Sequence, residues 1–307
     1  MILNSIGHLS FSWLLYFSIL TFDSMISKNE IHSLLVLMED PDPFVQESVN
    51  KRFVELGENV VPLLDEYRVE LKQGEEKAKV NELIHTLTFE GLQSDFVDLL
   101  ENGIRNRKDL ESIIFILSRF GKPTIDTKHY KDKLDHFAEM VAPSIRYKLD
   151  ERKKAKQLFK FVFEDLNFTG DQKDYHNPVN CFLDTVIDRR KGLPISLSMV
   201  AMFIGRRLDL PVFGVNMPIH FMLTYIGERE EFLADPYDNG AVVSYDQCYF
   251  FLKKNNIEPK SEYFQMASDM DILVRTLRNL IQSYERKEQL EKVEDLKRLL
   301  STVELYL

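Results

Sequence analysis

The sequence predicts an α+β fold that is mostly helical, with a small antiparallel sheet packed on one buried helix. Three observations lead to this prediction. The residues that follow Pro194 are apolar around most of a helix circumference, as in an interior helix. Short β-type runs follow Pro211. Amphipathic helical periodicity covers most of the remaining chain of 307 residues.

The predicted buried helix begins at Pro194. Proline suits the first position of a helix, because its ring fixes φ and the N–H that it lacks would have no partner there. We expect this helix to lie at the centre of a core. Its apolar residues are Ile195, Leu197, Met199, Val200, Met202, Phe203, Ile204 and Leu208.

The β-type runs predict a hairpin. The runs are 212–215, 221–226 and 231–234, with a turn at 227–230. A four-residue turn pairs residue 226 with residue 231, which places Asp235 diagonally across from His220 on one face, at roughly 7–8 Å between Cα atoms. A slip of one residue would separate the two side chains. The register therefore predicts that the imidazole and the carboxylate meet.

Two helical regions are predicted before the hairpin. In residues 25–90, a helix, an Asp-Pro turn at 40–43, a second helix and a break at Gly57 resemble one HEAT-like hairpin. Residues 91–150 continue as helices, with breaks at Gly103 and at 121–123. One such hairpin cannot bury a solenoid core alone, so we expect the first region to pack on the helices of the second.

The last part of the chain is predicted to be a helical hairpin. Residues 260–307 contain two amphipathic helices that are separated at Arg286-Lys287, and their spacing resembles a single tetratricopeptide hairpin. A lone hairpin is a cap or a docking surface, because repeat arrays need several stacked units.

Residues 1–24 are predicted to be a misassigned or disordered extension. The apolar run from Leu9 to Phe22 is shorter than a transmembrane helix and contains several serines. It lacks the basic n-region and the cleavage site of a signal peptide. An amphipathic pattern begins after Met25, which indicates that Met25 is the true start. The alternative is an N-terminal membrane anchor.

The composition limits the classes of function. Lys and Arg number 39 against 49 Asp and Glu, and the basic clusters at 105–108 and 152–156 are interleaved with acids, so nucleic acid is not an expected partner. The seven histidines and two cysteines lack metal-ligand spacing, and no glycine-rich phosphate loop is present. We expect no cofactor and no metal, and a cytoplasmic protein with a protein partner. The oligomeric state is left open.

Four ordered sequence blocks resemble the transglutaminase-like superfamily, specifically its bacterial SirB-type branch. They are Asn180 with Leu183, Arg189 to Ser198, Gly214 to Phe221, and Asp235 to Gly240. Four blocks in order are far more specific than any single motif. The resemblance implies a papain-like module, which we place at 151–255, and many members of this branch carry a tetratricopeptide hairpin after it.

The resemblance also implies a catalytic site. Members of the superfamily use a Cys thiolate at a helix N-terminus, a His that activates it and an Asp that orients the His. His220 and Asp235 fall on the second and third of these residues. The start of the helix reads Leu193-Pro194-Ile195-Ser196 and contains no cysteine.

Two residues could replace the missing thiol. Ser196 is either a weak nucleophile or a first-turn residue whose hydroxyl satisfies a free backbone N–H. Cys181, in the predicted helical stretch before Arg189, is either a displaced nucleophile or a buried packing group. Cys248 is expected in the core. His176 lies in the predicted polar loop 165–177 and could join the site, although loop histidines are usually just exposed.

The favoured function is that of a non-catalytic interaction or regulatory protein, a pseudoenzyme whose papain-like site has lost its nucleophile. The alternative is an active amidohydrolase or acyltransferase, of protease or transglutaminase type, that uses His220 and Asp235 with Ser196 or Cys181. The group that faces the His220 ring discriminates between the two.

Overall fold

A computed structural model of the protein describes residues 27–102, 109–146 and 150–307. The predicted extension at 1–24 and the predicted break at Gly103 lie outside the described residues. The described chain is mostly helical with two small sheets, so the predicted α+β class is confirmed. It divides into two compact units, one that ends at Leu87 and one that runs from Thr88 to Leu307.

The first unit is helical. It contains α1 (Lys28–Leu37), α2 (Pro43–Leu56), α3 (Val61–Glu70) and the beginning of α4 (Glu75–Glu101). The side chain of Asp42 caps α2 by accepting a hydrogen bond from the N–H of Phe44 at 2.9 Å. Gly57 ends α2 with φ at +58°, which favours glycine. The predicted Asp-Pro turn and glycine break are therefore both present.

The second unit contains the remaining helices and the sheets. Its further helices are α5 (Asp109–Ser118), α6 (Thr127–Arg146), α7 (Glu151–Lys160), α8 (Leu183–Arg189), α9 (Pro194–Arg207), α10 (Tyr245–Lys254), α11 (Asp269–Arg286) and α12 (Leu290–Glu304). No helix in the described part of the chain is long and apolar enough to span a bilayer.

Helix α9 lies at the centre of this unit, as predicted. Every residue from Pro194 to Gly205 is buried, because apolar side chains cover its whole circumference. It packs against α6, α8, α11 and the sheet. At its C-terminal end, Arg207 forms ion pairs with Glu111 and Asp135, and Arg206 with Asp269. These charges suit the negative end of the helix dipole.

The main sheet has four strands in the described residues, which pair in chain order and are antiparallel throughout. Its strands are β3 (Val212–Val215), β4 (Met222–Ile226), β5 (Glu231–Asp235) and β6 (Ala241–Val243). Ile226 pairs with Glu231, which is the predicted register. Strand β6 was not predicted, because three partly exposed residues after a turn carry too little periodicity.

A second sheet contains only two residues from each strand. Strand β1 (Thr169–Gly170) pairs in parallel with β2 (Lys191–Gly192). Elements this short leave no signal in the sequence. Their pairing nevertheless ties the start of the polar loop to the residues just before α9.

The C-terminal hairpin forms as predicted, with a break after Arg286. Its first helix shares the core that surrounds α9. The apolar residues of α11 in this core include Ile272, Leu273, Leu277 and Leu280. Helix α11 is thus part of the hydrophobic core of the second unit.

Asp184 is a buried carboxylate in the first turn of α8. It is 3% exposed, and its Oδ1 has no hydrogen-bond partner within the described residues. Burial raises the pKa of Asp184, although the N–H of Thr185, the hydroxyl of Ser118 and the charge of Lys122 favour the charged form. An acid whose pKa is higher in the folded state costs stability as the pH rises above its ordinary value of 3.8.

We therefore expect Asp184→Asn to stabilise the protein near neutral pH. The expected gain in Tm is about 2–4 °C, corresponding to ~1 kcal/mol in a unit of this size. The gain should shrink as the pH falls toward 3.8, since Asp184 is then protonated in the folded protein. Thermal unfolding of both proteins at several pH values measures this gain in Tm.

Asp188 on the same helix provides the control. Its burial alone would raise its pKa, but Lys133 and Tyr130 hold that pKa below its usual value. Asp188→Asn should therefore give no gain near neutral pH. A lower Tm for Asp184→Asn than for the unaltered protein at neutral pH would contradict this role of Asp184.

Candidate functional site

A cleft of about 260 Å³ lies at the N-terminal end of α9. Leu193 and Ile195 line it, together with His220 on the segment that enters β4. Tyr175, from the polar loop after β1, and Arg275, from α11, complete the walls. The predicted helix start and the predicted histidine therefore line one cleft.

His220 and Asp235 meet in this cleft, as the hairpin register predicts. Nε2 of His220 lies 2.9 Å from Oδ1 of Asp235, and both side chains are largely buried. The same oxygen accepts hydrogen bonds from the N–H groups of Tyr237 at 2.8 Å and Asp238 at 3.4 Å. The carboxylate is therefore fixed on the backbone of its own turn and holds the imidazole ring.

The charge of Asp235 determines which nitrogen of His220 carries the proton. Burial alone would raise the pKa of Asp235, but the hydrogen bond and charge of His220 and the two backbone N–H groups lower it below its ordinary value. An ionised Asp235 can only accept, so the proton is assigned to Nε2. Nδ1 has no hydrogen-bond partner within the described residues and is free to bind a ligand.

The turn before His220 has an unusual backbone. Ile219 has φ at +57° and is 54% exposed at the rim of the cleft. A β-branched residue in the left-handed region costs of order 1–3 kcal/mol and is seen mostly where the surrounding structure imposes it. Here the turn closes with a hydrogen bond from the N–H of His220 to the carbonyl of Met217. This strained turn positions the histidine.

Ser196 is occupied by structural hydrogen bonds. Its hydroxyl donates to the carbonyl of Asn180 at 2.7 Å and accepts from the N–H of Leu193 at 2.9 Å. The residue is completely buried. The interpretation of Ser196 as a first-turn residue that satisfies a backbone N–H is confirmed, and its hydroxyl does not contact His220.

Cys181 lies outside the helix in which it was predicted. That prediction was wrong, because α8 starts only at Leu183 and Cys181 ends a short 3-10 turn over Pro178–Asn180. Burial raises the pKa of its thiol to about 12, although the Ser283 hydroxyl favours the thiolate. Its thiol makes no hydrogen bond with His220.

The other two candidates also have defined positions. Cys248 is buried on α10, as predicted, and burial together with the charge of Asp235 raises its pKa to about 11. His176 lines the cleft beside Tyr175, so the loop histidine does join the site. Burial and the charge of Arg286 lower the pKa of His176.

Asn180 connects the parts of the site, a role that sequence reasoning missed. Its side-chain amide donates to the carbonyl of Asp174 at 2.7 Å, and its Oδ1 accepts from Arg189 at 2.8 Å. Arg189 also binds the buried carboxylate of Asp171 at 2.8 Å. A sequence signal existed, because Asn180 and Arg189 both belong to the blocks that carry the family resemblance.

Arg275 was also missed. It follows the apolar triplet 272–274 on α11, and a charged residue inside a buried stretch is the signal that could have identified it. Its Nη1 donates to the carbonyl of Met217 at 2.7 Å and to the side chain of Asn216. Arg275 forms no ion pair within the described residues.

The fold agrees with the comparisons to known proteins. Residues 128–278 match the model of the transglutaminase-like superfamily. The chain therefore carries a domain of the transglutaminase-like superfamily. The matched range extends beyond the predicted module at 151–255 and includes most of α6 and about half of α11, the helix that bears Arg275.

Similar proteins occur in bacteria and in animals. The chain is 25% identical to a UPF0162 protein of Xylella fastidiosa over 186 residues, which is 57% of this chain and 64% of that protein. It is 31% identical to a UPF0162 protein of Pseudomonas aeruginosa over 183 residues, 58% of this chain and 66% of that protein. It is 36% identical to F-box only protein 21 of Homo sapiens over 77 residues, 25% of this chain and 12% of that protein. No solved structure matches.

We expect Asp235→Ala to destabilise the protein by about 1–3 kcal/mol at neutral pH, because it leaves partly buried N–H groups and an imidazole without their acceptor. The pKa of Asp235 is lowered in the fold, so its contribution is present above 3.8 and lost as the pH falls through the folded pKa. Denaturant unfolding near neutral and acidic pH measures the difference.

Asp238→Ala is the matched control. Asp238 lies in the same turn but is exposed, and its side chain makes no hydrogen bond within the described residues. It should leave stability unchanged within about 0.5 kcal/mol. Equal unfolding curves for Asp235→Ala and the unaltered protein would remove the structural role of the pair.

Proposed function

We propose that this protein is a non-catalytic transglutaminase-like protein that uses the His220 cleft to bind a protein partner. The observation that carries the proposal is the state of the two candidate nucleophiles. Ser196 and Cys181 are both buried, and neither is bonded to the His220 ring. A triad needs a nucleophile within hydrogen-bond reach of its base.

Ser196 could act only by breaking structural bonds. Its hydroxyl proton is used on the carbonyl of Asn180, and its oxygen holds the N–H of Leu193. Both partners are buried, so their loss would leave polar groups unpaired at a cost of about 1–3 kcal/mol each. Turning this hydroxyl toward a substrate would therefore weaken the start of α9.

Cys181 has the wrong electrostatics for a nucleophile. Burial raises the pKa of this thiol to about 12, so it is protonated at neutral pH. Reactive thiols have pKa values lowered by cations or a helix N-terminus. The groups that interact electrostatically with Cys181 include the hydroxyls of Ser283, Tyr284 and Tyr175, and none of these is a cation.

The remaining features of the cleft are suited to binding a ligand. The cleft keeps an oriented imidazole, one wall of apolar residues and a loop that Asn180 holds in place. The net charge of -10 disfavours nucleic acid as the partner. A polypeptide is the partner class that uses such a mixture of apolar and polar contacts.

The alternative is an active amidohydrolase or acyltransferase. The retained hydrogen bond between His220 and Asp235 is the observation that favours it, because this arrangement orients a general base. Such an enzyme would use Ser196 or Cys181 after a rearrangement that frees one of them. The reactivity of the Cys181 thiol tests the form of this alternative in which Cys181 is the nucleophile.

The proposal also covers the family branch and the helical repeats of the protein. We assign the protein to the SirB-type branch, its first unit to a HEAT-like hairpin and its last two helices to a tetratricopeptide-like hairpin. Cytoplasmic localisation is consistent with two cysteines that are both free. The proposed binding activity, protein partner and cytoplasmic location rest on the residues of this chain.

We expect iodoacetamide to label the native protein slowly at neutral pH, because both thiols are buried and have raised pKa values. Cys248→Ser isolates the reaction of Cys181, and mass spectrometry measures its rate. Adding His220→Ala should not change that rate. The same protein labelled after denaturation gives the rate of the exposed thiol, which should be far higher.

Rapid and stoichiometric labelling of Cys181, abolished by His220→Ala, would contradict the proposal and identify an enzyme. Slow labelling that His220→Ala leaves unchanged supports the non-catalytic function. The Cys181→Ser variant isolates the reaction of Cys248, whose labelling should also be slow.

A further inference from the structure

The lining of the cleft at His220 carries a permanent charge opposite in sign to the net charge of the protein. The chain has ten more acidic than basic residues, yet none of the described residues that line the cleft is acidic. The nearby carboxylates of Asp235 and Asp174 are held by His220 and Asn177. Arg275 supplies the permanent charge of the lining, so the local potential favours an anion.

Arg275 has donors left to bind that anion. A guanidinium carries five N–H donors, and the two on Nη1 are used on Met217 and Asn216. Its Nε and Nη2 atoms have no acceptor within the described residues. These two atoms form the edge of arginine that binds a carboxylate with two parallel hydrogen bonds.

The side chain is also held in place without a charge partner. Its guanidinium carbon lies 5.7 Å from the centre of the Phe221 ring, and the carbonyl of Met217 fixes one end. Burial lowers the pKa of Arg275, which reflects the cost of keeping this cation away from water. A bound anion would offset that cost.

Further donors surround the same space. Asn279 and Gln282 lie one and two turns further along α11 and both line the cleft. The N–H of Ile195, which also lines the cleft in the first turn of α9, has no acceptor within the described residues. The positive end of the helix dipole is there. Nδ1 of His220 adds one more polar group.

We propose that this cleft binds a carboxylate of a polypeptide ligand, with the Nε and Nη2 atoms of Arg275 as its principal donors. The inference rests on the proposed binding function and names the chemistry of the partner. The carboxylate can come from a Glu or Asp side chain or from a chain terminus. The apolar residues Ile219 and Phe221 then contact the neighbouring part of the ligand.

A carboxylate fits better than a phosphate. The lining has a single permanent charge, whereas a phosphate group carries about -1.5 to -2 at neutral pH. Arginine also matches the planar carboxylate with two bonds. A carboxylate therefore leaves little uncompensated charge in a cleft of about 260 Å³.

The test uses the full-length protein and small probes. N-acetyl-glutamate N-methylamide presents a side-chain carboxylate, N-acetyl-glutamine N-methylamide is its neutral isostere, and N-acetyl-alanine presents a chain-terminal carboxylate. NMR follows the Nε–H resonance of Arg275 during each titration. We expect saturable shifts with one or both carboxylates and none with the glutamine probe. The carboxylate probe that binds more tightly identifies the source of the group.

Variants assign the effect to Arg275. Arg275→Gln should weaken carboxylate binding, measured by ligand-observed NMR, by roughly ten- to a hundredfold, as for the loss of a hydrogen-bonded charge. Arg278→Gln is the matched control, because Arg278 lies on the same helix, is exposed and pairs with Glu304. It should leave binding unchanged. Arg275→Lys keeps the charge but loses the two parallel N–H donors of the guanidinium, so it should give an intermediate affinity.

The comparison of glutamate with glutamine in the unaltered protein does not depend on whether a variant folds. Equal shifts with both probes, or none with either carboxylate, would overturn the inference. Tighter binding of O-phosphoserine than of the glutamate probe would also overturn it in favour of a phosphate site. Release of ammonia from the glutamine probe would instead contradict the proposed non-catalytic function, and the carboxylate titration would still decide this inference independently.

Discussion

The architecture around the cleft depends on the hydrogen bonds of one buried residue, Asn180. Its amide group donates to the polar loop at Asp174, and its Oδ1 accepts from Arg189 at the end of α8. Its backbone carbonyl accepts from the hydroxyl of Ser196 at the start of α9. Three chain segments thus meet at one residue that is completely buried. Each unpaired partner would cost about 1–3 kcal/mol, so the segments hold their positions together.

The hydrogen bonds of Asn180 account for the position of the cleft and for the structural role of the Ser196 hydroxyl. The loop that carries Tyr175 and His176 is fixed against the N-terminus of α9, and the cleft between them stays open. Fixing the helix start uses the Ser196 hydroxyl, the one hydroxyl in the first turn of α9. The His220 and Asp235 pair is held by a separate element, the hairpin of β4 and β5. Under the proposed function, a transglutaminase-like domain keeps its imidazole and its cleft while the hydroxyl at the helix start serves the fold.

The parts of this structure that follow from local periodicity could be predicted from the sequence. Pro194 and the apolar residues after it define a buried helix, and a four-residue turn defines the register that brings His220 to Asp235. The remaining features depend on contacts between distant segments. Strands β1 and β2 contain two residues each, and the position of Cys181 depends on a 3-10 turn that periodicity does not show.

Arg275 illustrates the same limit for the site. Its helix was predicted, but its proximity to the cleft depends on how α11 packs against α9, and amphipathic spacing alone does not give that contact. The first helix of the C-terminal hairpin therefore supplies part of the lining of the candidate site. The family match over residues 128–278, which reaches into α11, agrees with this arrangement.

Under the proposed function, the cleft binds its ligand without forming a covalent intermediate. The most direct measurement is the intact mass of the protein after incubation with a glutamine-containing peptide and rapid acid quenching, which preserves any acyl-enzyme. We expect a mass equal to that of the untreated protein at every time point. An added acyl mass that maps to Cys181 or Ser196, and that His220→Ala prevents, would contradict the claim.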